Sequence, residues 1–229
     1  VKHYHLITCL LIALIPATAA DTFNYVNWTS STSSSVTGTI GSTTVTYSST
    51  DLSFAQLSGN SPWGGYLPAS TWMSSLVGNP PPNAQIIGIQ GTSATHTITF
   101  SQPVSNVIMD LVSLGAPGNG TQYAFTSPFT ILNIGPSNQY GGGTNTLQQS
   151  GNTLTGNEGD GIILFAGPLT SITWTGANPE FWNGFTIAVD STQTPLPTPL
   201  PSTAMLMLLG LAAVGGIFYF ISRRQASFS

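Results

Sequence analysis

Thr95-His96-Thr97-Ile98-Thr99-Phe100, THTITF, alternates a hydroxyl-bearing side chain with a bulky one at every step. Successive side chains of a strand point to opposite faces, so this stretch puts His96, Ile98 and Phe100 on one side and three threonines on the other. β-Branched and aromatic residues suit a pleated, half-buried surface, which favours a strand over a helix here. Ile172 and Trp174 alternate with Ser171, Thr173 and Thr175 in the same way, and Phe185, Ile187 and Val189 with Thr186 and Ala188. Each pattern predicts one face on a core and one in water.

Working outward, weaker strand patterns fall at 23–28, 36–40, 43–47, 85–89, 106–113, 122–125, 129–133 and 161–165, with turn residues about every ten positions. The expectation is an all-β chain folded as a two-layer antiparallel β-sandwich of jelly-roll-like type. Two segments interrupt it. Residues 58–82 carry SPWGGYLP, STWMSSLVG and three consecutive prolines; Ser70 or Thr71 is placed to cap one helical turn reaching Val77 and ended by Gly78. Residues 140–143, YGGG, form a second loop.

Both ends differ from this body. Lys2, His3 and His5 open a short polar start, Leu6 to Pro16 is apolar, and Ala17-Thr18-Ala19-Ala20 offers small residues for cleavage, so 1–20 reads as a signal peptide. Residues 21–191 are the sandwich domain, and 192–201 a Pro-rich linker. The uncharged run 202–222, rich in Leu, Ala, Gly, Met and Phe, is long enough as a helix to cross the roughly 30 Å of a bilayer's hydrocarbon. Arg223 and Arg224 follow it, so 223–229 is expected on the cytoplasmic side and the domain outside.

The order Pro199-Leu200-Pro201, apolar helix, Arg223-Arg224 resembles the PEP-CTERM sorting signal of Gram-negative bacteria, with Leu200 where that family has Glu. The segments ITFSQPVSNVIMDLVSLG, SPFTILN, NEGDGIILFAGPLTSITWT and NPEFWNGFTIAV, within residues 85–190, resemble the β-rich ectodomains that recur among such proteins. The resemblance implies export, a transient inner-membrane anchor, an exosortase as processing partner and a place at the cell surface or outside it. It implies a structural or adhesive role in an exopolysaccharide or biofilm layer, and names no reaction.

Charge narrows the function further. The chain has three Lys and Arg residues and seven Asp and Glu. Lys2, Arg223 and Arg224 all lie in the terminal segments, so the domain has no fixed cation with which to neutralise phosphates, and nucleic acid is not an expected partner. The single cysteine, Cys9, falls in the signal segment, leaving the domain neither disulfide nor thiol nucleophile. His96 is the domain's one histidine and sits on an apolar strand face, so a packed core residue is expected there; a zinc site, which needs several His or Cys ligands, is not.

Asp51, Asp110, Glu158, Asp160, Glu180 and Asp190 are scattered singly, and their spacing pairs none for glycoside hydrolysis. The expectation is therefore no enzyme, with a secreted carbohydrate-binding or polysaccharide-active protein as the alternative. Asn157, Glu158 and Asp160 in NEGDG offer oxygens to calcium, or simply form an acidic turn. Trp63, Tyr66 and Trp72 either stack on sugar faces or cover the edge of the core. Trp174, Phe181, Trp182 and Phe185 are expected in the core or flanking it.

Overall fold

The computed structural model describes residues 19–58, 65–91, 94–136 and 146–192. The chain divides at Thr194/Pro195 into two units, and the described residues all belong to the first. The signal segment 1–18, Trp63, the YGGG loop, Pro199, Leu200, Pro201, the expected span 202–222, Arg223 and Arg224 lie outside the described residues. Among the described residues no helix is long and apolar enough to cross a membrane.

Alternation at 95–100 does build a strand, and fifteen are formed among the described residues. They are β1 (Phe23–Tyr25), β2 (Asn27–Ser31), β3 (Ser35–Ile40), β4 (Thr43–Ser48), β5 (Leu52–Gln56), β6 (Ile86–Ile89) and β7 (Thr95–Val104). Then come β8 (Val107–Leu114), β9 (Gln122–Phe125), β10 (Thr130–Ile134), β11 (Thr146–Ser150), β12 (Thr153–Asn157), β13 (Gly159–Phe165), β14 (Leu169–Ala177) and β15 (Asn183–Asp190). One sheet runs β10-β13-β8-β15-β6-β5, with β1 pairing the far end of β15 where β6 stops. The other runs β11-β12-β9-β14-β7-β4-β3-β2. The strand pairings are antiparallel, and the sheets stack as a sandwich.

The main core lies between them. Tyr47, Ile98, Phe100, Ile172 and Trp174 from the eight-stranded sheet meet Met109, Leu111, Ile163, Phe185 and Ile187 from the seven-stranded one. Trp174 sits at its centre, with the rings of Tyr47, His96, Tyr123, Phe125 and Phe185 all within 6.1 Å between centroids.

The two sheets differ on their outer sides. Outward residues of the eight-stranded sheet are exposed or half-buried, as in the β7 pattern, where Thr95, Thr97 and Thr99 alternate with buried neighbours. The seven-stranded sheet is covered on both faces: every residue of β6, β8 and β15 is buried. The expectation of one solvated face fails for β15, whose Thr186 and Ala188 are buried too. Its outer cover is the segment 65–83, expected above as loop. Tyr66 and Trp72 pack on Ile86 and Val112, and Val77 on Ile108, Ile162 and Ala188. Side-chain amides fasten this cover: Asn79 accepts from the Phe23 amide and donates to its carbonyl, while Asn133 Nδ2 donates to the carbonyls of Ser70 and Thr71. The helical turn predicted from Ser70 or Thr71 to Val77 is instead a short 3-10 turn, Ala69–Trp72, preceded by Pro68 and without a side-chain cap. Met73 returns to extended backbone because Trp72 must turn inward over the sheet.

Candidate functional site

Three of the acidic residues that sequence leaves scattered meet at one end of the sandwich. The end of β8 brings Ser113, the junction of β12 and β13 brings Glu158 and Asp160, and the connection into β15 brings Glu180. Ser113 Oγ donates to Glu158 Oε2 at 2.5 Å, and the Ser113 amide donates to Asp160 Oδ1 at 2.8 Å. Glu180 Oε1 accepts from the Gly115 amide at 2.9 Å and from Asn183 Nδ2 at 2.7 Å. Asn183 Oδ1 in turn accepts from the Tyr123 hydroxyl. Ser113 and Glu158 both hold left-handed backbone, with φ of 55° and 49°. Such conformations cost non-glycine residues roughly 1–3 kcal/mol each and persist only where the surroundings impose them.

Burial pushes the Glu180 carboxyl up to about 7, the Glu158 charge adding to it while the Gly115 amide and Asn183 hold it down. Burial likewise pushes Asp160 up to about 6 against the bond from the Ser113 amide, again with Glu158 adding. Glu180, only partly buried, can therefore exchange a proton near neutrality beside a second carboxylate. Phe181, expected near the core, is instead 82% exposed next to it, while Trp182 packs half-buried on Phe54. Neither serine, amide nor tyrosine at this end carries a sequence signal. What brings them together is pairing between β8, β13 and β15, with Tyr123 reaching across from β9.

For the calcium reading, the structure places Glu158 and Asp160 at the junction of β12 and β13 as buried residues bonded to Ser113. Among the described residues no three His, Cys, Asp or Glu side chains group so as to hold a metal ion. The sugar-stacking reading is corrected at two of its three positions. Tyr66 is buried, its hydroxyl donates to the Gln85 carbonyl at 2.9 Å, and its ring stands edge-on to the fully buried Trp72 at 5.1 Å. Both rings cover the seven-stranded sheet, which leaves no face to offer a sugar.

His96 is the packed core residue expected. Its ring stacks on Trp174 at 5.0 Å, Nδ1 pairs with the Tyr47 hydroxyl at 2.9 Å, and Nε2 faces Asp51 at 3.9 Å. Burial lowers its pKa to about 4, with the Asp51 carboxylate partly opposing. Asp110 is buried beside the Tyr25 hydroxyl, which donates to the Asn79 carbonyl at 3.2 Å and gives the carboxyl at most a weak partner. Desolvation holds its pKa well above the ordinary range.

The outer face of the eight-stranded sheet carries a regular pattern of exposed and half-buried hydroxyls. Ser35, Ser48, Thr97 and Thr173 stand in register across β3, β4, β7 and β14, and beside them Thr37, Thr46, Thr99 and Ser171. Neighbours across strands are about 4.8 Å apart and those along a strand about 6.7 Å, so the hydroxyls form a lattice. No ionisable side chain stands in these rows.

No protein-family model matches the chain, and no curated protein or solved structure does either.

Proposed function

We propose that this is an exported bacterial protein of the cell surface or extracellular matrix, with a structural or adhesive role in a polysaccharide layer. The observation that carries the reading is the neutral serine and threonine lattice, in register across four strands, a wettable surface suited to lying against hydroxylated polymer. The overall charge supports it, since seven carboxylates and no Lys or Arg between residues 3 and 222 keep such a surface soluble. A jelly-roll-like reading of the strand order, an architecture also used by lectin domains, is consistent with the same role. Sorting rests on the tail: Pro199-Leu200-Pro201, the apolar run and Arg223-Arg224 would present the chain to an exosortase in the inner membrane. Intact-mass measurement of the extracellular and membrane fractions, with and without the exosortase, tests this. The expected result is a mature form lacking the run 202–222, lost when the exosortase is deleted. A full-length product in the cytosol with both ends intact would overturn it.

A second reading, a polysaccharide-cleaving enzyme, has one observation behind it. Glu158 and Glu180 lie in one cluster, and Glu180 holds a proton near neutrality, as an acid that protonates a leaving oxygen must. Release of reducing sugar ends from an exopolysaccharide, abolished in Glu180→Gln, would establish it; no release from any polymer of the host's own layer would remove it.

A further inference from the structure

One end of the hydroxyl lattice is not flat. Where β3, β4 and β7 meet, a shallow depression of about 430 Å³, wide open to solvent, is lined by Ser34, Ser48, Ser49, Thr50, Thr95 and Thr97, with Ala94 at its edge. Six of the seven lining residues carry a hydroxyl and none is ionisable or aromatic; Ser49 is buried and its Oγ accepts from the Asp51 amide, Thr97 Oγ1 pairs with Thr173 Oγ1 at 3.4 Å, and Ser34, Ser48, Thr50 and Thr95 are exposed. The walls are fixed from behind by Asp51. Its carboxylate accepts from the Ala94 amide at 3.0 Å, its carbonyl from the Gln90 amide at 3.0 Å, and its own amide donates to Ser49 Oγ at 3.1 Å. The Ser49 amide also donates to the Ser34 carbonyl at 2.9 Å, tying the turn before β3 to the end of β4. These bonds fix the turn after β4 against the start of β7 and the turn before β3.

We propose that this depression seats one residue of a neutral polysaccharide, whose chain continues along the row Ser48, Thr97, Thr173. The inference rests on the matrix reading above and names the ligand class and the place of contact. A sugar ring offers hydroxyls that alternate as donors and acceptors, the chemistry this lining complements. The lining row runs in register onto open sheet, so a ring held in the depression has a path for its neighbours, which a closed monosaccharide pocket would not provide. Charge fixes the class. With no Lys or Arg between residues 3 and 222, the domain has no fixed cation to pair with uronate, sulfate or phosphate groups, which leaves uncharged polymers. Each hydroxyl exchanged from water to sugar is worth only about two- to tenfold in affinity, so binding to one site is weak and repeated engagement along a polymer matters.

The test is affinity electrophoresis of the purified full chain in mild detergent through gels holding dextran, galactomannan or polygalacturonate, with glucose and mannose as soluble competitors. The expected result is retardation by at least one of the two neutral polymers and none by polygalacturonate. The monosaccharides should compete only at far higher concentration of sugar units, which separates a chain from a free sugar as ligand. Combined Ser48→Ala and Thr97→Val, conservative at their sites, should weaken retardation about tenfold. Thr95→Leu, which fills the depression from an exposed strand position, should do the same. Ser101→Ala, at the opposite end of the same face, should change nothing. No retardation by either neutral polymer, or equal retardation of all variants, overturns the proposed site. Stronger binding to polygalacturonate overturns it as well. Should the chain still be sorted and recovered in the matrix after such a result, the broader reading stands and only the proposed site is lost.

Discussion

Lowering the pH from 8 to 4.5 should stabilise this domain. Glu180 and Asp160 have folded-state pKa values above the ordinary ones, so the folded domain keeps protons that the unfolded chain has released. Their contribution is complete below the unfolded values and is lost as the pH rises through about 6 for Asp160 and about 7 for Glu180. At 1.36 kcal/mol per pH unit, and with Glu180 trimmed for its exposed edge, each returns about 2 kcal/mol over that interval. His96 acts in the opposite direction. Its folded value is lowered to about 4 from 6.5, so the unfolded chain takes up a proton first as the pH falls below 6.5, which removes about 2.5 kcal/mol. Asp110, raised by burial, adds to the carboxylate side. The balance is a gain of about 1–2 kcal/mol before Asp110 is included, equivalent to a Tm rise of several degrees for a domain of this size. Calorimetry or thermal denaturation at pH 8, 6 and 4.5 reads it directly. Glu180→Gln should remove about 2 kcal/mol of the gain, and His96→Gln should enlarge the gain below pH 6.5. A Tm that falls from pH 8 to 6, or a Glu180→Gln profile parallel to the parent's, would refute the reasoning.

Other outcomes follow from single sites. Asp110→Asn should raise stability at pH 8 by about 1–3 kcal/mol in urea denaturation, because the folded domain opposes ionisation of this buried carboxyl while the unfolded chain permits it. Trp174→Leu should cost about 3–5 kcal/mol, since the ring fills the centre of the aromatic core and leaves a cavity when shortened. Gly156→Ala should cost about 1–3 kcal/mol by the same assay, because a Cβ there runs into the carbonyl oxygen of Leu114 across the sandwich. Millimolar calcium should leave the Tm within about one degree, because Glu158 and Asp160 already accept from Ser113 and calcium wants six to eight free oxygens.

The eight-stranded sheet was the legible half of the fold. Its strands alternate cleanly because one side meets water, and 95–100 and 171–175 state both faces in their own letters. The other sheet carries the runs IIGI, VIMDLVSL and GIILF, whose largely apolar character, interrupted only by Asp110 and Ser113, is the mark of strands covered on both sides. Reading those runs for length alone finds the strands and misses their cover, and with it the inward fate of Tyr66 and Trp72. The acidic end was illegible for a different reason. Ser113, Glu158, Asp160, Glu180 and Asn183 are separated by up to 70 positions and converge only through antiparallel register, which no local pattern encodes. The hydroxyl lattice lies between these cases. Each strand announces its outward threonines, while their alignment into rows depends on pairings that only the assembled sheet displays.

The unequal covering of the two sheets also sets where this chain is free to vary. Exchanging a side chain on β6, β8 or β15 disturbs packing on one side or the other, whereas outward positions of β3, β4, β7 and β14 touch mainly solvent. Diversification can thus rewrite the contact surface letter by letter while the scaffold beneath stays constant, and a library randomised at those outward positions would be a practical source of new binding specificities.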